Sequence, residues 1–340
     1  MAVTLKDIAK RVGVSTTTVS LVLNQRDDSR IGEETRQKIL ETSKDLGYQT
    51  ERTPQASTFP IHPTIGLVIA DIKNPFFTNL ASTIEDVASR YGYNIILCNT
   101  HEHLEKENEF LEVLWRRKVH GLILAAVDDK LSNPRNFLKH HIPLVLVDRY
   151  LRGADTNAVL VDNVDGAYRA IEYLVSLGHR RIGIITGREH VTTNQDRLQG
   201  YLNALEAHGL PADQSLIHSS HYTVEGGQQA TAELLDLPSP PTAIFSCGGT
   251  PTVGVLMEFR RRGIHVPQDM SLLGFDDDRW ATLIDPPMTV IAQPVEEIGR
   301  EAAQLIIQMI QGWNKREIRK IMLKTELIIR GSCRAINNSQ

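Results

Sequence analysis

Two spacings of apolar residues divide the chain. Up to residue 48 they recur every three to four positions, the helical period. From residue 64 onward, short apolar runs alternate with longer amphipathic stretches. In the first region, Leu5, Ile8, Ala9 and Val12 form one apolar helix face. Thr4 is placed to cap that helix, with Asp7 three residues on as in a capping box. Gly13 stands where a left-handed turn residue is needed, since it carries no Cβ. Ser15 then caps a second helix whose buried face is Val19, Val22 and Leu23. A third helix is predicted over about 33–46, with Ile31, Ile39, Leu40 and Leu46 turned inward, Gly47 ending it and Tyr48 closing the core.

The outward face of the second helix offers Thr16, Thr17, Ser20 and Leu21. Short hydroxyl and apolar side chains suit base edges and the thymine methyl in a major groove. The spacing predicts a helix-turn-helix with the second helix as reader, although a small three-helix bundle with a polar face has the same pattern. The expected DNA contacts are Thr4, Ser15, Thr16, Thr17, Thr18, Ser20, Leu21, Asn24 and Arg30. Arg26, Arg36 and Lys38 are further phosphate candidates, or ordinary solvated charge. Residues 49–63 carry three prolines in a polar setting and read as a linker, a poor helix.

The later apolar runs are 65–70, 94–98, 121–126, 143–148, 158–161, 181–186, 243–247, 270–275 and 289–293. Near-continuous β-branched runs between helices predict parallel strands buried on both faces, hence an α/β body. Ligands of such sheets bind outside the carboxyl ends of the strands.

Composition narrows the function. The net charge of −4 argues against indiscriminate nucleic-acid binding. Residues 1–50 hold eight Lys/Arg against seven Asp/Glu, so DNA affinity would come from placed contacts and dimerisation, not bulk charge. Three scattered cysteines have no metal spacing and read as reduced thiols of a cytoplasmic protein. The start MAVTLKDIAKR has no long apolar stretch and does not read as a signal peptide, and no run is long enough to span a membrane. No G-x-S-x-G, H-E-x-x-H, Walker loop or G-x-G-x-x-G after a strand is present, so no enzyme, cofactor or metal is expected. The histidines read as surface residues, and the basic clusters at 116–121 and 259–263 as solvated helix ends.

The wording DIAKRVGVSTTTVSLVLN at 7–24 resembles the lactose-repressor (LacI/GalR) family. The resemblance continues through LGY at 46–48, IGLVIADIKNPFF at 65–77, LGHRRIGIITG at 177–187, RLQGY at 197–201, GFDDDRW at 274–280 and TVIAQP at 289–294. It implies a helix-turn-helix domain at 1–48, an atypical hinge at 49–63 and a periplasmic-binding-protein-like effector and dimerisation body at 64–340. The body would have one lobe at about 64–161 and 293–323, and a second at about 162–290 and 324–340. It implies a homodimeric repressor on double-stranded operator DNA, controlled by a small-molecule effector: a sugar, a sugar phosphate or another metabolite. Carried over position by position, the effector residues would be Phe77 (or Phe76), Asp148, Arg149, Arg197, Tyr222 and Asp276, with Gly248 in the loop after the run at 243–247.

Four positions depart from the family pattern. Ser57 falls where the hinge leucine is usual, which argues against the usual minor-groove wedge. Gly248–Gly249 replaces the common Asn-Asp, and Ala125 replaces a polar residue, leaving Asp128 as the nearest acid. The glycines before a helix N-terminus suggest an anion held at backbone N–H groups. The alternatives are a vestigial or non-sugar cleft, or a solute-binding protein.

Overall fold

The computed structural model describes residues 4–23, 31–46, 48, 63–130, 132–312 and 317–336. The chain forms two compact units, residues 1–61 and 62–340.

In the first unit, α1 (Leu5–Val12), α2 (Thr16–Leu23) and α3 (Glu33–Asp45) enclose a core of Ile8, Ala9, Val19, Val22 and Ile39. Leu5, Val12, Val14, Leu23, Ile31, Leu46 and Tyr48 pack around it. The Asp7 carboxylate accepts from the Thr4 amide and hydroxyl at 2.8 and 2.7 Å, fixing the entry to α1. Gly13, at φ 79°, ends α1 in the left-handed region and donates back to Ala9 O. Leu40 departs from expectation. It is 47 % exposed, because one step beyond Ile39 turns about 100° away from the core. Gly47 and most of the proline-rich stretch, 49–62, lie outside the described residues.

The second unit has two six-stranded sheets. One is ordered β11-β5-β4-β3-β1-β2, with β1 (Thr64–Ile69), β2 (Asn94–Asn99), β3 (Gly121–Leu124), β4 (Leu144–Val147), β5 (Asn157–Val161) and β11 (Lys320–Leu323). The other is ordered β12-β10-β9-β8-β6-β7, with β6 (Ile182–Thr186), β7 (Ile217–Ser219), β8 (Ala243–Ser246), β9 (Ser271–Phe275), β10 (Thr289–Ala292) and β12 (Glu326–Ile328). Pairing is parallel except between β10 and β12. Helices α4 (Pro75–Arg90), α5 (Leu104–Arg116), α6 (Arg135–Lys139) and α11 (Val295–Ile310) belong to the first lobe. Helices α7 (Asn163–Ser176), α8 (Thr192–Ala207), α9 (Val224–Leu235) and α10 (Gly249–Arg262) belong to the second. Each sheet has a separate apolar core on each face, which is why its central strands are continuous apolar runs.

The chain crosses between lobes at Asp162, at Gln293–Pro294 and at Lys324–Thr325. Strands β7, β11 and β12 escape the sequence pattern because they are short, half-exposed edges. Edge strand β2 is likewise open on part of its length, with Leu97 exposed, not buried on both faces.

Not every histidine is on the surface. His179 is fully buried, hydrogen-bonded to Thr242, Ser271 and the Arg334 carbonyl, and pins the chain's return across β9. Nor are the basic residues ending α10 merely solvated. Arg261 and Arg262 both bond the buried Glu258 carboxylate and hold its pKa down at about 2.

Candidate functional site

The reading helix α2 starts from a serine cap. Ser15 Oγ accepts from the Thr18 amide at 3.0 Å and lies 2.8 Å from the Thr18 hydroxyl. Ser15, Thr18 and Thr4 are therefore engaged in helix caps. Thr16 and Thr17 are exposed, and Ser20 and Leu21 are half-buried on the side away from Val19 and Val22. The helix carries no charged residue in its first or last turn. Asn24, Arg26 and Arg30 lie outside the described residues.

In the body, the loops after β1, β2, β4, β7, β8 and β9 meet between the lobes. Phe76, Phe77, Asp148, Arg149, Arg197, Tyr222, Gly248 and Asp276 all line this cleft. Phe76 and Phe77 enter together at the start of α4, capped by Asn74, with their rings edge to face at 5.1 Å. Both face the cleft, so the choice between them falls away. Arg197 lies in the second turn of α8. Its Nε donates to Asn163 Oδ1 at 2.8 Å and its Nη1 to the Cys247 carbonyl at 2.9 Å.

Sequence reading missed Glu102, which follows β2 and also lines the cleft. Its carboxylate takes both Arg149 Nη groups, at 2.9 and 2.6 Å, and that neighbouring cation holds its pKa down against burial. Asp128, named from sequence as the nearest acid, does not reach the lining. Asp71, Asn74, Thr193 and Gln293 were also missed. The strand-end rule alone points to Glu102 and Asp71, and Gln293 stands within the TVIAQP motif.

Gly248 and Gly249, the candidate anion loop, line the cleft and meet a carboxylate of the protein itself. Helix α10 begins at Gly249, and the Gly249 amide donates to Asp276 Oδ2 at 3.2 Å. A Cβ at Gly249 would come within 2.1 Å of Asp278 Oδ2. The glycines admit the protein's own carboxylates to the helix N-terminus, where an external anion would meet two like charges. Gln293 Nε2 donates to the other Asp276 oxygen at 2.6 Å.

Asp148 is the most available acceptor. It is 7 % exposed, accepts no hydrogen bond among the described residues, and has Arg149 Nε at 3.4 Å. Burial pushes its pKa up to about 6, partly offset by Arg149 and Arg197. Asp278 also rises to about 6, through burial and the Asp276 charge. Burial takes the Tyr222 hydroxyl up to about 12, so it stays a neutral donor. Of eight non-glycine residues with positive φ among those described, four line the cleft: Glu102, Asp148, Tyr222 and Asp276. Backbone strain of this kind persists where the surroundings over-determine it, as binding sites do. The free space between the side chains is ≈ 50 Å³, room for a few waters.

A helix-turn-helix joined to a two-lobed cleft defines a ligand-responsive DNA-binding regulator as the class of protein. Residues 4–51 match the lacI family of bacterial regulatory proteins, and residues 171–333 match the periplasmic binding protein-like domain. The chain is 35% identical to the HTH-type transcriptional regulator DegA of Bacillus subtilis, over 99% of this chain and 100% of that one. It is 34% identical to the HTH-type transcriptional repressor CytR of Escherichia coli, over 98% and 97%. A solved LacI family transcriptional regulator from Enterococcus faecium with bound ribose superposes at a TM-score of 0.74, with 31% identity, over 81% of this chain and 100% of that one. The protein belongs to the LacI family and is a sequence-specific DNA-binding transcription regulator, not an enzyme. Among the described residues, no helix is long and apolar enough to cross a membrane, and no group of His, Cys, Asp and Glu could hold a metal ion.

Proposed function

We propose that the protein is a homodimeric cytoplasmic repressor whose operator affinity is set by a small, neutral, polyhydroxylated effector, a monosaccharide or close relative. The observation that carries this reading is the pairing of aromatic faces with unsaturated carboxylates in one cleft. Phe76, Phe77 and Tyr222 offer surfaces for the C–H faces of a ring. Asp148 and Asp276 accept from ring hydroxyls, and Arg197, whose Nη2 donates to no described group, supplies a donor. A sugar phosphate would bring its own charge against Asp148 and Asp276 in the lining and is disfavoured. The ribose in the Enterococcus faecium relative supports the same class.

One reading helix covers only a half-site, so a two-fold dimer on a pseudo-palindromic operator is the expected form. Tyr91, Leu97 and Val113 of the first lobe, with Met257 and Leu283 of the second, are exposed apolar residues suited to that contact. Thr16, Thr17, Ser20 and Leu21 read base edges, and Arg36 and Lys38 are phosphate candidates. The cleft is lined by residues of both lobes, so an effector with different affinity for two lobe arrangements changes the operator-competent population. The test is fluorescence anisotropy on a DNA site selected from random sequence, with and without each monosaccharide. A shift in operator affinity of about tenfold is expected with at least one sugar. Tight operator binding that no sugar alters removes the effector half of the proposal.

A further inference from the structure

Outside the cleft lining, a second set of residues crosses from lobe to lobe. Tyr150, in the loop after β4, gives its amide to Thr192 Oγ1 at 3.2 Å and its hydroxyl to Asp196 Oδ1 at 3.1 Å. Asp129, after β3, gives its amide to the His190 carbonyl at 3.1 Å. Arg152 reaches Gln195 Oε1 with Nη2. All the receiving groups lie in the approach to α8 or its first two turns.

The set is braced on both sides. Arg152 Nε bonds Asp129 Oδ2 at 2.6 Å, and the Arg152 amide bonds the Asp129 carbonyl at 2.8 Å. Gln195 Nε2 is held by the Glu189 carbonyl at 2.8 Å, which orients Oε1 toward Arg152. The Asp129 side chain is 1 % exposed, yet its Oδ1 has no partner among the described residues. A buried carboxylate with one unmet oxygen opposes folding. Its place here is explained by the contact it anchors across the gap.

We propose that Tyr150, Asp129 and Arg152 on one lobe, with Thr192, Gln195 and Asp196 on the other, form a latch that holds the two lobes together outside the effector cleft. None of the six lines the cleft. The latch therefore holds the lobes independently of ligand contacts. The inference rests on inter-lobe geometry and stands whatever the effector proves to be.

Hydrogen exchange on the full-length protein without ligand, read amide by amide, tests it. Among the described residues the Asp129 and Tyr150 amides bond only across the gap, so both report closure. Both are expected to be protected in the wild type and to exchange at least about tenfold faster in Tyr150→Phe/Arg152→Ala. The strand amides of Leu67 and Ile184 should be unchanged. Asp196→Asn keeps an acceptor for the Tyr150 hydroxyl and should keep the protection. If the double variant fails to fold, Gln195→Ala, which removes the Arg152 partner alone, carries the same expectation. Loop-like exchange of these amides in the wild type, or protection unchanged in the variants, overturns the latch.

Discussion

The Arg197 guanidinium carbon stands 3.6 Å from the centroid of the Phe275 ring, so the cation inside the cleft is stacked as well as hydrogen-bonded. Phe275 belongs to the second-lobe core, which ties the cleft to the packing beneath it. A lysine has neither the plane to stack nor the fork to reach Asn163 and the Cys247 carbonyl together. Arg197→Lys is expected to lower stability by about 2–3 kcal/mol and to abolish any sugar-induced rise in melting temperature. Denaturant melts with and without sugar check both.

Asp148 is costly to the fold as long as it is ionised. Its folded pKa, about 6, lies above the ordinary value of 3.8. The neutral form is favoured in the folded state, so its full contribution is present below about pH 4 and is lost as pH rises through 6. Asp148→Asn should match the wild type near pH 4 and exceed it at pH 7 by on the order of 3 kcal/mol. Asp278 shifts the same way in both proteins and cancels from the difference. A stability difference independent of pH contradicts the assignment.

Gly187 leaves room for the Tyr222 ring. A Cβ there would fall 2.0 Å from Tyr222 Cζ. The ring can swing aside, so Gly187→Ala should cost only about 1 kcal/mol of stability. Sugar affinity should fall by about tenfold or more as the aromatic wall moves. Paired thermal and calorimetric titrations separate the two effects.

Thr17 and Leu21 are available on the outer side of α2, whereas Ser15 and Thr18 are committed to its cap. Thr17→Ala and Leu21→Arg should alter base preference in a randomised-site selection, with stability changed by less than about 0.5 kcal/mol. Ser15→Ala should do the reverse, costing about 1 kcal/mol through the lost cap. Unchanged preference in both outer-face variants would mean that another element reads the DNA.

Much of this architecture is legible in the residues themselves. The buried face of α2 and the central strands follow from spacing, because each buries a continuous apolar set. Asp148, Arg149 and Asp276, carried over from the family resemblance and not read from spacing, all line one cleft. What spacing cannot show is which polar groups meet. Glu102 is consumed by Arg149 from a distant loop, and the Gly249 amide is taken by Asp276, with Asp278 close beside it. The edge strands β7, β11 and β12 were hidden because half-exposed edges carry weak hydrophobic signal.

Binding of a small neutral sugar in the cleft is open to direct measurement. Thermal unfolding of the wild type and of Arg197→Ala, across pentoses, hexoses, their phosphates and small organic acids, tests it most directly. Binding to the folded state must raise stability by mass action, by about 2.7 kcal/mol at a hundredfold excess over Kd. A stabilising shift is expected with at least one neutral monosaccharide, none with its phosphate, and none in the variant. A shift confined to anionic ligands, or no shift with any sugar, would contradict it.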